Sequence, residues 1–251
     1  MTHTMDYELN GHKALVTGSS RGIGSAIALE LAGAGADVIV HCSAPSEKAD
    51  NICRQIIELG RKSEVVCSDL TNIDEVKTLC DKIRDVDILV LNASTQIKKS
   101  WESISPEEMI TQLSSNCIAS VMLSQAVVPY MKEKGFGRII AIGSVQELKP
   151  NPKMLSYSMS KCAQNGMVKS LAMQLAEYGI TVNDVAPGVV VTDRNLEALS
   201  DIEYAKKVIA SIPAGFYGQK EDPIGLIRVL CSEYGRYITG QTIFVDGGKS
   251  L

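Results

Sequence analysis

The chain is short of everything that marks a protein built on metal, disulfides, membrane or nucleic acid. Only three histidines occur, His3, His12 and His41, all near the N-terminus and without the spacing of metal ligands. The seven cysteines, Cys42, Cys53, Cys67, Cys80, Cys117, Cys162 and Cys231, are dispersed and include no C-x-x-C pair. An odd, scattered set of thiols excludes a disulfide frame and a zinc site, and reads as reduced thiols in a cytoplasmic protein. No run of five like charges occurs, and the net charge is −4 with a pI near 5.5. Nothing therefore points to nucleic acid or an anionic membrane. No apolar run is long enough to span a bilayer, and Met1–Asn10 lacks the apolar core of a secretory signal. Internal repeats, linkers and low-complexity stretches are missing too, so residues 1–251 read as a single domain.

What is present is an ordinary globular balance of 45% hydrophobic and 22% charged residues, enough for a core on both faces of a sheet. Lys13–Thr17 is a short apolar run that ends in Gly18-Ser-Ser-Arg-Gly22-Ile-Gly24, and an alanine-rich segment follows to about Ala34. That is strand, glycine-rich turn and helix, closed by Gly33 and Gly35, with Asp37–His41 as the next strand. The glycines thus sit in the first βα turn of a βαβ unit, where a helix N-terminus can face a dinucleotide's pyrophosphate. Gly18 permits the tight turn, and Gly22 and Gly24 allow close approach. The second strand ends at His41-Cys42-Ser43 without the acid that takes both ribose hydroxyls in NAD sites. Asp37 opens that strand, at the wrong end. With no acid to repel a 2′-phosphate, and with Arg21 and Ser43 able to bond it, the sequence favours NADP(H) over NAD(H).

The alternation continues along the chain. Helices are expected over 46–59, 72–83, about 109–134 in one or two pieces, 157–178, 202–210 and 222–232, with strands at 63–67, 87–91, 137–142, 181–186 and 241–245. Ser46 caps the first of these helices, and Asn72 with Glu75 makes a start like a capping box. Asn116 lies within the long helix, where an asparagine is mildly unfavourable and implies a kink or a polar relay. Seven strand–helix alternations predict an α/β fold, a three-layer doubly wound (Rossmann) seven-stranded parallel sheet with helices on both faces. Ligands bind such sheets outside the carboxyl ends of the strands. Asp69, Asn92-Ala93-Ser94, Ser144 and Pro187–Thr192 fall there. Residues 189–218 break the alternation and carry Thr192, Asp193, Arg194, Tyr204, Phe216 and Tyr217, a long insertion where a substrate lid belongs. Tyr157 and Lys161 are four apart at the start of the helix after Ser144, so they share one face. A cation beside a phenol favours the phenolate, and such a tyrosine can give or take a proton at a carbinol or carbonyl oxygen. Alone the pair is a common surface contact; its position at the binding edge of the sheet makes it a candidate acid/base.

With these motifs in order, the chain resembles the short-chain dehydrogenase/reductase family from Lys13 to Gly248. Thr17–Gly24 is similar to the family's cofactor loop, Asp69 to its adenine-contacting aspartate, and Asn116, Ser144, Tyr157 and Lys161 to its catalytic tetrad. Asn183, Pro187-Gly188 and Thr192 resemble its nicotinamide-side segment, and 237–242 with Asp246-Gly-Gly248 its C-terminal signature. The resemblance implies cofactor contacts from Gly18, Ser20, Arg21, Gly22, Ile23 and Gly24, then Ser43, Asp69 and Leu70. It implies further contacts from Asn92, Ala93 and Ser94, from Tyr157 and Lys161, and from Pro187, Gly188, Val190 and Thr192. One departure stands out: Leu91-Asn92-Ala93-Ser94 replaces the family's Asn-Asn-Ala-Gly, which could crowd the cofactor. The implied activity is hydride transfer between NADP(H) and a carbonyl or secondary alcohol, with no metal. Tyr157 would be the general acid/base, Lys161 would support it, Ser144 would hold the substrate oxygen, and Asn116 would position a relay water. A 3-oxoacyl reductase or a sugar, polyol or ketone dehydrogenase fits, and the resemblance implies a homotetramer. The substrate pocket is expected from Gln96, Gln146, Met154, Val189 and the lid to Tyr217, and Lys132, Lys134 and Arg138 are either a carrier-protein patch or a solvated helix end. The alternative is a cofactor-binding sensor or scaffold without catalysis, against which the complete tetrad argues.

Overall fold

The computed structural model describes residues 8–192 and 199–251. Seven strands, β1 Lys13–Val16, β2 Asp37–Cys42, β3 Ser63–Cys67, β4 Ile88–Leu91, β5 Gly137–Ile142, β6 Ile180–Pro187 and β7 Thr242–Val245, form one sheet in the order 3-2-1-4-5-6-7. Every pairing is parallel. The helices are α1 Gly22–Gly33, α2 Glu47–Glu58, α3 Ile73–Lys82, α4 Pro106–Leu113, α5 Ala119–Lys134, α6 Leu155–Leu175, α7 Ile202–Ala210 and α8 Ile224–Cys231. The predicted doubly wound sheet is what is found.

Each strand feeds two cores because successive side chains point to opposite faces. Ala14, Val16, Ile88, Val90 and Ile140 pack on one face with Ile27 and Leu31 of α1, Ile56 of α2 and Leu230 of α8. Leu15, Leu89, Leu91 and Ile139 pack on the other with Leu79 of α3, Leu123 of α5 and Val168 of α6. Each such aliphatic, fully withdrawn from water, contributes roughly 1.5–3 kcal/mol before entropy is counted. The continuous apolar runs of β4 and β5 are therefore a consequence of burial on both sides.

The local signals hold with instructive exceptions. Ser105 and Glu108 form a reciprocal capping box ahead of Pro106, which fixes the start of α4. Asn72 accepts from Asp74 N and Glu75 N, and Glu75 accepts from Asn72 Nδ2 at 3.0 Å and from Asp69 N at 2.7 Å rather than from the Asn72 backbone N–H. Ser46 holds the N-cap position of α2 without a side-chain capping bond. The long helix expected from 109 is two α-helices joined by a π-turn over Ser114–Ile118. That insertion carries Asn116, so the mid-helix asparagine marks a real irregularity, as π-turns often do at sites of function.

Candidate active site

The parallel sheet puts all strand carboxyl ends at one edge, and a cleft of about 840 Å³ opens there. Its first wall is the glycine loop. Gly18 has φ +65° and Gly22 φ +60°, values that disfavour any side chain. A Cβ on Gly24 would sit 2.4 Å from both the Asn92 amide nitrogen and the Gly18 carbonyl oxygen, so only glycine fits. Asn92 pins the loop from β4, its Nδ2 donating to Thr17 O at 2.8 Å and Gly18 O at 3.1 Å. Thr17 Oγ1 returns the tie by accepting from Asn92 N and Ala93 N.

His41 is a second clamp that sequence reading missed. Gly18 N–H donates to its Nδ1 at 3.0 Å, and Nε2 lies 3.1 Å from Ser68 O. With Nδ1 accepting, the proton sits on Nε2 and is donated to Ser68, which fixes the neutral tautomer. The ring is 1% exposed, and burial, against the Ser68 bond, pulls its pKa down to about 4. The only hint in the sequence was a histidine at the end of β2, where no ligand spacing draws attention to it.

Ser144 begins the turn after β5. Its Oγ accepts from Gln146 N at 3.2 Å, and its N–H donates to Glu147 Oε1 at 2.8 Å. Because the oxygen is already an acceptor, the hydroxyl hydrogen is left to point elsewhere. Tyr157 lies in the cleft wall, 7% exposed. Lys161 is 1% exposed, with its Nζ 5.9 Å from the Tyr157 ring centroid. The ammonium donates to Ile142 O at 2.7 Å and Gln164 Oε1 at 2.9 Å, which uses two of its three hydrogens. Gln164 in turn donates to Ser120 Oγ at 3.0 Å, and Ser120 donates to Asn116 O at 2.9 Å. Asn116 Nδ2 donates to Thr95 O and Ser160 Oγ, both at 2.9 Å, while Oδ1 accepts from Thr95 N at 2.7 Å. A chain of protein groups thus joins Lys161 to Asn116. Gln164 and Ser120 were not anticipated, although Gln164 stands one helical turn beyond Lys161.

The remaining expected residues are divided between the cleft wall and the interior beneath it. Ser20, Arg21, Ile23, Ser43, Asp69 and Leu70 line the cleft, as do Ala93, Ser94, Pro187, Gly188, Val190 and Thr192. Asp69 Oδ1 is engaged by Thr71 N and Oγ1, both at 2.9 Å. Lys161 and Asn116 do not line the cleft; they are buried beneath it. Asn183 is buried as well and does not face the cleft; it donates to Ile238 O at 2.6 Å and accepts from Gln241 N at 3.1 Å, holding the approach to β7. Of the expected substrate pocket, Gln96, Gln146, Met154 and Val189 line the cleft, but Tyr217 does not. Its hydroxyl donates to Ala205 O at 2.8 Å, and Tyr204 takes the cleft position. Asp193 and Arg194 lie outside the described residues. The basic trio divides: Arg138 is 1% exposed among backbone carbonyls, whereas Lys132 and Lys134 stand exposed at the end of α5, Lys134 pairing with buried Asp87.

Similarity to known proteins agrees with this geometry. The family described as short chain dehydrogenase matches residues 12–203. A 3-oxoacyl-[acyl-carrier-protein] reductase of Synechocystis sp. is 38% identical over 248 residues, covering 97% of this chain and 98% of that one. The crystal structure of a 3-oxoacyl (acyl-carrier-protein) reductase from Agrobacterium tumefaciens with NADP bound superposes with a TM-score of 0.92 at 36% identity, covering 97% of this chain and 96% of that one. A gluconate 5-dehydrogenase from Burkholderia cenocepacia, in complex with NADP and tartrate, gives a TM-score of 0.91 at 31% identity, covering 98% and 97% of the two chains. A pinned glycine loop facing a buried tyrosine–lysine pair, on a sheet that these relatives share along their whole length, makes this chain a member of the short-chain dehydrogenase family of oxidoreductases.

Proposed function

We propose that this protein is an NADP(H)-dependent oxidoreductase, folded as one domain, that interconverts the carbonyl and secondary alcohol forms of a small polar acid. The observation that carries the reading is the convergence of Ser144, Tyr157 and the Gly18–Gly24 loop on one cleft, with Lys161 anchored directly beneath. The cleft fits a dinucleotide: glycines whose Cβ positions are needed by backbone, at the N-terminus of a 12-residue helix, border a volume of that size. Gly18, Ser20, Gly22, Asp69, Asn92 and Pro187 would hold it. When bound, the nicotinamide supplies or accepts the hydride. Tyr157 gives its phenolic proton to the substrate oxygen in reduction and takes it back in oxidation. Ser144 donates its free hydroxyl hydrogen to the same oxygen. Lys161 keeps a positive charge under the resulting phenolate, and the Gln164–Ser120–Asn116 chain holds that charge in position.

The phosphate preference follows from the end of β2. Cys42, Ser43 and Ser46 line the cleft there without a carboxylate, and Arg21 lies exposed along the same wall. Asp37 is spent at the far end of the strand, accepting from Lys62 N at 2.8 Å. The acidic substrate follows from the other end. Gln96, Lys98, Gln146, Asn151, Lys207 and Lys249 line it, and Asp69, on the adenine side, is the one acid among the described lining residues. Three lysines and three amides, with Asp69 the one carboxylate in the described lining, favour a substrate that carries its own negative charge and hydroxyls. The tartrate held by the Burkholderia relative supports the same class. Seven free thiols support a cytoplasmic setting. Ile118 of the π-turn, Met173 of α6 and the 97% exposed Tyr237 before β7 support assembly into a homotetramer through those faces.

A panel of keto acids, hydroxy acids, uncharged ketones and polyols, run with both cofactors and followed by nicotinamide absorbance, tests this. The expected result is at least tenfold higher kcat/KM with NADPH than NADH, and with sugar acids than with their uncharged alcohols. Preference for NADH, or for uncharged substrates, overturns the corresponding part.

A further inference from the structure

Directly behind Ser144 lies a pair of carboxyls, Asp184 buried and Glu147 half-buried, that takes no direct part in the proposed proton and hydride transfer. Glu147, on the turn Val145–Glu147, accepts the Ser144 N–H through Oε1. Asn165 Nδ2, from α6, is 2.9 Å from Glu147 Oε2, 2.9 Å from Asp184 Oδ2 and 2.5 Å from Thr242 Oγ1. Asp184, in the middle of β6, is 1% exposed, and its Oδ1 has no other hydrogen-bond partner. The two carboxyls meet over Gly143: a Cβ there would lie 2.3 Å from both Asp184 Oδ1 and Glu147 Oε1. Two carboxylates brought this close, one of them fully buried, strongly disfavour double ionisation. The charged and titratable groups facing them are Lys161 and Cys162 of α6, while β7 presents the neutral Thr242. One cation does not balance two anions that are also desolvated.

We propose that Glu147 and Asp184 share one proton, held on Glu147 and donated to Asp184 Oδ1, and that this pair is the positioning device that sets the Ser144 main chain for reaction. The orphaned Oδ1 is then satisfied by Glu147 Oε1, the oxygen that faces it at Gly143, and the same oxygen accepts the Ser144 N–H through a lone pair. Loss of the proton puts two like charges against each other at Gly143 and pushes the Val145–Glu147 turn away from β6. Ser144 moves with it, because its N–H is bonded to the displaced carboxyl. Burial and the Asp184 charge together push Glu147 up to about 8, so the release falls just above neutral pH. Glycine at 143 is explained by the same contact: nothing larger leaves room for two carboxyls to meet.

The inference rests on the proposed role of Ser144, and two measurements separate it from that role. The first needs no turnover. Infrared difference spectra between pH 6 and pH 9.5 are expected to show a protonated carboxyl band at pH 6 that vanishes on titration and is missing from Glu147→Gln. Its absence from the wild-type protein at pH 6, or its persistence in Glu147→Gln, overturns the shared proton. The second is the pH profile of kcat for NADPH oxidation with the best carbonyl substrate of the panel above. Glu147→Gln keeps the amide contact without titrating. It is expected to hold at least half of the wild-type kcat at pH 7, to shift the alkaline limb upward by about one pH unit, and to leave KM for NADPH within twofold. Glu147→Ala, which cannot brace Ser144, is expected to lose at least tenfold in kcat at every pH. Superimposable profiles for wild type and Glu147→Gln overturn the positioning role. If Ser144→Ala retains full activity, the reading of Ser144 fails while the infrared result still decides the proton.

Discussion

The two edges of the sheet bury charge in opposite ways. At the amino ends of the strands the charges are closed off. Asp87, just before β4, is fully buried and takes bonds from His12 Nδ1, from Lys13 N and from Lys134. Arg138, at the start of β5, donates to Ser232 O, Gly137 O and Gly179 O and reaches Glu233. At the carboxyl ends the buried groups are held but left open: Lys161 has a hydrogen to spare, Ser144 has its hydroxyl hydrogen, and Glu147 crowds Asp184. One edge uses burial to fix the fold; the other, on the proposed function, uses it to keep reactive groups poised. The same sheet serves both because parallel strands send all their carboxyl termini to one side.

The sharpest way to break this contrast is Tyr157→Phe. Removing one oxygen from the open edge is expected to lower kcat by about 10²–10⁴-fold, with the thermal unfolding midpoint within a few degrees of wild type. A variant that stayed active would place the acid/base elsewhere; one that failed to fold would make this edge structural after all.

His41 sharpens the contrast from the other direction, because it sits at the open edge and acts like a closed-edge group. Its folded pKa of about 4 is below the ordinary 6.5. Below 6.5 the unfolded chain binds a proton that the native state refuses, so stability is fully present above 6.5 and drains as pH falls toward 4. The whole window is worth about 3 kcal/mol. Urea unfolding between pH 7.5 and pH 4.5 should show that loss, and His41→Gln should flatten it while weakening cofactor affinity through the Gly18 clamp. An equal slope in wild type and variant would remove His41 from the account.

Asp87→Asn tests the closed edge. Burial alone would raise this carboxyl, yet the bonds from His12, Lys134 and Lys13 N outweigh burial and leave it below its usual range. The charge therefore stabilises the fold above the ordinary carboxylate range of pH and fades as pH falls into it. Its removal is expected to destabilise by about 2–3 kcal/mol, measured by chemical unfolding at pH 7, with kcat per folded molecule unchanged. A tenfold drop in kcat would show that the two edges are coupled through β4.

How much of this was legible in the sequence divides along the same line. The sheet, the glycine loop and the Tyr157–Lys161 spacing are local patterns, and period, turn chemistry and helical register report such patterns directly. The closed edge was half legible: Lys132 and Lys134 form the exposed helix end that was expected, but Arg138 looks like surface charge in a linear reading, because the residues that absorb it, Ser232 and Glu233, are far away in sequence. The clamps at the open edge were missed for the same reason. Gln164, Asn165 and Asp184 sit among apolar helix and strand residues, and nothing short of the fold shows that Asp184 meets Glu147 or that His41 meets Gly18. The π-turn at Asn116 was half visible, as an unfavourable residue in a helix, and its bonds to Thr95 and Ser160 gave it meaning only once β4 and α6 were beside it.

The smallest expected effect concerns the one departure from the family pattern, Ser94. A glycine in that place would be needed if the backbone were left-handed, but no non-glycine residue among those described has a positive φ. Ser94 therefore adopts an ordinary conformation, half-buried in the cleft wall. Ser94→Gly adds freedom to the unfolded chain and relieves nothing in the folded one, so it should cost about 0.5–1 kcal/mol of stability. KM for NADPH is expected to move less than about fivefold, since a single lost methylene-sized contact is worth no more than about 1 kcal/mol. A tenfold fall in KM would mean that Ser94 crowds the cofactor. The wall between β4 and the glycine loop would then be another place where this edge gives up binding strength, as it gives up charge balance at Glu147, in exchange for an open site.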